Sequence, residues 1–439
     1  MKNINTTNAA ATNLPAESPQ WKPWQKFSFR FFLLYFAVIS SLCWDVMIFF
    51  ACNAFPKNNY SLETIFKPLA GFFYWLDKNI YHTGYNPKIH ANFPQDNHYG
   101  EVFYLTMAIL CLIAAVIWSV LDRKRRNYNR MFYWFSLYLR YLLAIVVFGY
   151  GMIKLIPVQM SHPDAVEMLI PFGYFNKFSV LWNFMGMSPG YMIFSGLLEV
   201  MAALLLFPRR TAVAGSLLAV AVLTNVVALN WFYNVSVKIF SAQLLLYGLF
   251  LLIPYIKTIF GFFFNHQAAP LPQTRYELQA PWQKRLLTGV MIAVPLSAMV
   301  LPVVANYKRY QNDLANSRKE KIYEVVNFVA TDTLPPLTTD TLRWRRALLN
   351  VRGNYFVVWT MNDDKNWFEF ETDSIKKTFT LHNNSNKATW KTLHYSYPSK
   401  DKLLVTGKWK GRDFSALMKL SPVDSIPLNK EQVQLIQNW

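Results

Sequence analysis

Three ionisable residues sit where hydrocarbon is expected. Lys154, Glu199 and Lys238 lie within or at the edge of the apolar runs Tyr141–Met160, Tyr191–Phe207 and Val237–Tyr255. A charge at such depth is expensive, so an intramembrane acid or base points to an ion pair, a proton route or a ligand's polar head. Asp45 in the first expected span, Asn225 and Asn230 in the fifth, and Tyr233 in the turn that follows it add polar groups. Together, Lys154, Glu199, Lys238, Asn230, Tyr233, Asp45 and Asn225 are the candidate lining of a pocket open to the outer leaflet. The same residues would also serve as interhelical ion pairs and hydrogen bonds that fix the register of a bundle.

Helical spacing assigns faces to two of these groups. Arg140, Ala144, Val147, Gly151 and Lys154 recur at steps of three and four, and so do Ser195, Gly196, Glu199, Ala202 and Ala203. Each set forms one side of a helix, and small residues on that side permit close helix approach. At ~1.5 Å per residue, Lys154 and Glu199 differ in depth by about 6–8 Å, within reach of two long side chains. Arg140, nearer the other boundary, is expected to extend its head to that surface.

The elements that must hold these groups are membrane helices. A chain of 439 residues that is 53% hydrophobic is too apolar for an ordinary soluble protein. Seven spans are expected, at about Phe31–Ala54, Val102–Leu121, Phe132–Val158, Tyr191–Phe207, Thr211–Trp231, Val237–Phe260 and Leu286–Val304. Each approaches or exceeds the ~20 residues needed to cross hydrocarbon. The 44 Lys and Arg outnumber the 25 Asp and Glu, giving +19. Much of that excess lies in short loops beside spans, so it speaks for membrane orientation and not for nucleic acid. The loops Asp122–Arg130, Pro208–Arg210 and Lys257–Arg285, with Lys22, Lys26 and Arg30, then belong on the cytoplasmic side. Residues 1–24 are polar and read as a disordered cytoplasmic tail without the apolar stretch of a cleaved signal.

The other side receives Phe55–Gly100, Gln159–Gly190 and the tight Asn230–Lys238 turn. The apolar connection Pro163–Tyr191 is expected to lie along the outer interface, where it would lid the pocket. Residues 305–439 form the second domain, outside the membrane. Alternating runs such as Lys321–Ala330, Tyr355–Met361 and Leu403–Trp409 predict an antiparallel β-meander, folded as a small sandwich or barrel over about Lys321–Leu428. The fold class is therefore a membrane all-α bundle, residues 25–304, carrying a C-terminal antiparallel β-meander.

Metal and redox signals are weak. Cys43 and Cys52 would stand about 13 Å apart along one helix, too far to bridge. No Cys-x-x-Cys occurs. The outer histidines His82, His90, His98 and His162 lack helical ligand spacing, so no metal site is assigned.

The run Leu139–Lys154 resembles the Arg … Gly-x-x-Lys span of DoxX-like membrane proteins. Ser195–Thr211 is similar to their following Gly-x-x-Glu helix with its Arg-Arg-Thr stop, and Leu181–Tyr191 to the segment before it. Asn230–Ser241 resembles an Asn … Tyr-Asp-Val-Pro-Val-Lys turn of long members, with Asn234 in place of Asp and Ser236 in place of Pro. The likeness covers about residues 100–255. It implies a bacterial inner (plasma) membrane location, with the N-terminus cytoplasmic and the C-terminal domain periplasmic. The matching positions are Lys154, Glu199, Asn230, Tyr233 and Lys238. The group takes its name from a quinone-linked oxidoreductase, so quinone is the cofactor the resemblance brings into view.

Two functions compete. One is a bundle that binds a lipid or small molecule in the outer-leaflet pocket and presents the β-domain to a protein partner. The alternative is a quinone-linked membrane oxidoreductase, or a subunit of one. Lys154, Lys238 and Tyr233 would donate to the quinone oxygens and Glu199 would relay protons. No flavin motif, haem-attachment Cys-x-x-Cys-His or cysteine pair accompanies them. A transporter would be expected to show paired broken helices and an inverted repeat.

Overall fold

The computed structural model describes residues 20–52, 70–84, 96–267, 280–317, 320–330, 337–350, 354–383 and 386–423, with a few isolated positions besides. The expected disordered tail lies almost wholly outside the described residues, as do His90 and the side chains of Cys43, Asp45 and Cys52. The helices are α1 (Pro23–Cys52), α2 (Ala70–Leu76), α3 (His98–Leu121), α4 (Asn129–Leu155), α5 (Ala165–Met168) and α6 (Lys177–Met187). They continue with α7 (Pro189–Leu206), α8 (Ala212–Phe232), α9 (Lys238–Leu252), α10 (Ile256–Asn265) and α11 (Pro281–Ser317).

Among the described residues five helical segments are long and apolar enough to cross a membrane: α3, α4, α7, α8 and Lys238–Asn265, which joins α9 to α10. Their surfaces suit that solvent. Leu105, Ile109, Ile113 and Ile117 on α3 are about half exposed, an apolar face that a water-soluble chain would cover. The core between the helices gathers Phe29 and Phe36 of α1, Leu139 to Phe148 of α4, Ala202 and Ala203 of α7, Leu223 of α8 and Tyr247 of α9. Helix α4 is enclosed over Leu142–Gly149, so neighbours surround it and its polar positions must find partners inside the protein.

One end of this unit is tied by Arg30. Its guanidinium donates to Tyr128 Oη and Ser119 Oγ, each at 2.8 Å, and to the Asp122 carbonyl at 2.9 Å. Trp21 Nε1 donates to Asn129 Oδ1 at 2.7 Å. The start of α1 thus lies against the α3–α4 loop, as expected of two basic segments on one side. Arg30 itself is 4% exposed and serves as a structural clasp.

The C-terminal region is a closed barrel of eight antiparallel strands in sequence order. The strands are β1 (Glu320–Ala330), β2 (Trp344–Asn350), β3 (Tyr355–Thr360), β4 (Lys365–Asp373), β5 (Thr378–Asn383), β6 (Asn386–Ser399), β7 (Lys402–Trp409) and β8 (Arg412–Ser421). Closure comes from β1 pairing with β8 through a bulge between Val325 and Asn327. Of the two expected forms, sandwich or barrel, the chain adopts the barrel. Its interior is solid with Phe356, Val358, Phe370, Phe379, Leu393 and Met418.

Two compact units emerge: Met1–Leu155 with Ile193–Ala305, and Ile156–Met192 with Asn306–Trp439. The connection between α4 and α7 therefore belongs with the barrel, where sequence reading assigned it to the bundle as an interfacial lid. Ala165 and Val166 of α5, with Leu169, pack on the outer faces of Ile322, Leu348, Val357 and Trp359. That is the physical reason the apolar connection is not a solvated loop: it buries a second side of β1–β3. Asp164 caps α5, accepting from Glu167 N–H at 2.8 Å. Glu320 receives the Ala165 N–H at 3.0 Å on one oxygen and the Tyr355 hydroxyl on the other.

Burial holds the Glu320 carboxyl above its ordinary 4.5, and burial followed by the nearby Asp164 charge does the same to Glu167. A raised folded value means stability is fully present below about 4.5 and is lost as pH rises through the higher folded value. The melting midpoint of the barrel unit should therefore fall as pH rises from about 4.5 toward neutrality. Glu320→Gln should flatten that slope, read by circular dichroism at strand wavelengths. An unchanged slope would remove Glu320 as its source.

Candidate functional site

Sequence spacing places Lys154 and Glu199 on facing sides of α4 and α7, and the structure joins them. Lys154 Nζ donates to Glu199 Oε1 in a buried ion pair, with the residues 6% and 2% exposed. Close approach of the two helices makes the pair. A Cβ on Gly151 would stand 2.9 Å from the Gly196 carbonyl oxygen, and one on Gly196 would stand 2.7 Å from the Gly151 oxygen. The two glycines are three positions from Lys154 and Glu199 respectively, one helical turn away on the same faces. Backbone contact at the glycines brings the charges together across a narrow gap.

The pair is incompletely satisfied. Glu199 Oε2 is buried with no hydrogen-bond partner among the described residues. A carboxylate offers about four acceptor positions and the Lys154 ammonium meets one oxygen only. A hydroxyl, an amine or a proton would complement that oxygen.

The other candidates sit elsewhere. Lys238 Nζ lies 3.8 Å from Asp96 Oδ2. That carboxylate also accepts the backbone N–H of Lys238 at 2.6 Å and of Ile239 at 3.1 Å, while Asp96 N–H donates to the Ser236 carbonyl at 2.7 Å. Asp96 is thus the anionic cap of α9, placed where the helix dipole and unpaired N–H groups favour negative charge. Asn230 is buried at the end of α8, and its carbonyl accepts Val235 N–H at 2.9 Å. Tyr233 is half-buried and closes α8 through its N–H to the Leu229 carbonyl at 3.0 Å. Asn225 is exposed on the outer surface of α8. The Asp45 side chain lies outside the described residues.

Asn234 has φ of 55°, in the left-handed region. Asn tolerates that conformation well, so its choice at this turn has a backbone reason.

Asp96 was missed at the sequence level. Its signal was Asp96-Asn97 just before an apolar run, a helix-start signature. Asn97 does cap α3, accepting Gly100 N–H at 2.8 Å. Replacing Asp96 with Ala should cost about 1–2 kcal/mol as a lost cap, measured as a lowered thermal midpoint in detergent. Asp96→Asn, which keeps one acceptor, should fall between. Equal stability of all three would show that α9 needs no anion.

A cavity opens away from the ion pair. A cleft of about 420 Å³ lies among α1, α8, α9 and α10, lined by apolar side chains including Phe32, Phe36, Leu217, Leu249, Ile256 and Phe260. Its α1 wall begins two residues from Arg30, toward the basic end. Among the described residues no three His, Cys, Asp or Glu side chains converge as metal ligands would. His98 lies 3.7 Å from Glu101, and His162 Nδ1 is 3.0 Å from the Pro163 carbonyl.

Over 114 residues the chain is 32% identical to the uncharacterized protein YwoB of Bacillus subtilis (strain 168), a stretch that makes up 26% of this chain and 71% of that protein. No family model and no solved structure matches the chain.

Proposed function

This chain belongs to the family of YwoB, and we propose, from its own residues, that it is a DoxX-like protein of the bacterial inner membrane that binds a lipid or small amphiphile. The observation that carries the reading is the buried Lys154–Glu199 pair with one carboxylate oxygen unmatched. Hydrocarbon offers that oxygen nothing, so an amphiphile whose head donates a hydrogen bond is its natural complement. The spare acceptor lies beside an ammonium inside a bundle with an apolar exterior.

In this reading α1 and α11 add to the five apolar segments to make seven crossings. Lys22, Lys26, Arg123, Lys124, Arg125 and Arg126 then mark the cytoplasmic face. The barrel stands in the periplasm as a display surface for a protein partner.

A second reading rests on the same oxygen. A quinol head carries hydroxyl donors, and a buried carboxylate paired to an ammonium would accept its proton. With a separately bound redox protein taking the two electrons, that proton transfer would make the chain a subunit of an oxidoreductase.

The test is purification in mild detergent, followed by solvent extraction and mass spectrometry of what is released. The proposal expects a stoichiometric lipid or quinone that is lost from Glu199→Gln while the variant stays folded. A quinone would select the second reading. A wild-type protein that yields no bound amphiphile, or a Glu199→Gln protein that retains it fully, would overturn both.

A further inference from the structure

One end of the barrel holds hydrogen-bond donors and a cation for which the described residues supply no acceptor. It is the end where β1 finishes at Ala330, β2 opens at Trp344, β3 finishes at Thr360 and β7 finishes at Trp409. Trp344 and Trp409 belong to the interior core and are 1% and 2% exposed. Their rings meet edge to face with centroids 5.2 Å apart. Among the described residues neither indole N–H has a hydrogen-bond partner. Indole is a donor only, so the two tryptophans cannot satisfy each other.

The neighbours supply no acceptor either. Asn366 shares the inward side of β4 with Phe368 and Phe370, and its amide nitrogen is also buried without a partner. Phe414 lies 4.7 Å from the Trp344 ring, and Phe368 lies 5.5 Å from the Trp409 ring. On β6, Lys391 shares the inward row of Leu393, and its ammonium stands 5.4 Å from the Trp409 centroid. Described inward-facing residues of this end include no carboxylate. Buried donors in native proteins are almost always paired, so three that the described residues leave unmatched toward one end call for a complement.

We propose that this end of the barrel binds a small carboxylate. The carboxylate oxygens take the Trp344 and Trp409 N–H groups, and Lys391 supplies the opposing charge. The Phe328, Phe368 and Phe414 rings receive the apolar part. Long chains are excluded, because the barrel below is filled by Phe356, Phe379, Leu393 and Met418. The ligand is a short acyl or aryl acid. This site is separate from the Lys154–Glu199 pair and stands or falls without it.

Calorimetric titration of the full-length protein in detergent with benzoate and hexanoate tests the assignment, with benzyl alcohol and hexanol as neutral counterparts. Saturable binding of at least one acid is expected, with its alcohol at least about tenfold weaker, the size of one charge-assisted hydrogen bond. Trp344→Phe and Trp409→Phe should each weaken the acid about tenfold while leaving the melting midpoint near or above wild type. Lys391→Met, at an exposed position, provides a variant whose folding is not at risk and should weaken the acid several-fold. No saturable binding by the folded protein, equal affinity for acid and alcohol, or full affinity in Lys391→Met would each overturn the proposal.

Discussion

Lys154→Met should lower the stability of the bundle by about 3–5 kcal/mol, the cost of leaving one member of a buried ion pair alone. The Glu199 carboxylate would remain between α4 and α7 with neither counter-ion nor water, and in a helix bundle it has nowhere to go. Glu199→Ala should cost a similar amount through the stranded ammonium. The double variant Lys154→Met with Glu199→Leu should recover much of the loss, because an apolar pair of similar volume often matches a buried ion pair. The measurement is the denaturation midpoint of each purified variant in one detergent, combined as a double-mutant cycle. Single variants as stable as wild type would mean that the pair is solvated or absent. A stable double variant that loses an amphiphile found on wild type would separate the structural share of the pair from its proposed binding share.

Gly196→Val should be as damaging by a different route. A Cβ at Gly196 would lie 2.7 Å from the Gly151 oxygen, 2.9 Å from the Leu155 nitrogen and 2.9 Å from Lys154 Cβ. Two of those three are backbone atoms, which cannot turn aside as a side chain can. The helices must separate, and the Lys154–Glu199 pair separates with them. We expect a loss of at least about 2–3 kcal/mol, at the upper end of overpacking costs. Gly196→Ala decides the sign. In an open helix position Gly→Ala gains about 0.5–1 kcal/mol, whereas here the added methyl meets backbone and should destabilise. A more stable Gly196→Ala protein would show that α4 and α7 are not in contact at this point.

The ion pair was legible because its signal is local. Two steps of three and four along each helix place Gly151 with Lys154 and Gly196 with Glu199, and no other face of either helix combines a charge with small residues. Asp96 was not legible as the partner of Lys238, since 142 positions separate them and no periodicity links a connection to a helix start. Asn225 was grouped with the pocket on depth alone. Helix α8 is apolar nearly all round, so the sequence gives no face on which to place it, and in the structure it points outward. In the β-region, alternation was readable in Leu403–Trp409, where one side is buried and the other is wet. It fades in β2 and β3, where Leu348, Val357 and Trp359 are buried beneath α5 while their neighbours fill the interior. Closure was invisible for a related reason: β1 and β8 pair across the whole domain, and no local pattern states which strand meets which.

The docking of Ala165 and Val166 on β1–β3 fixes an order of events during synthesis. These residues leave the ribosome long before the strands that cover them, the last of which ends at Thr360. Roughly 200 residues of further elongation, at ~5–20 residues per second, leave them waiting on the order of 10–40 s. Throughout that interval the segment is unmated, its apolar side uncovered. Completion of the barrel unit is therefore gated by the arrival of β1 to β8, long after α5 has been made.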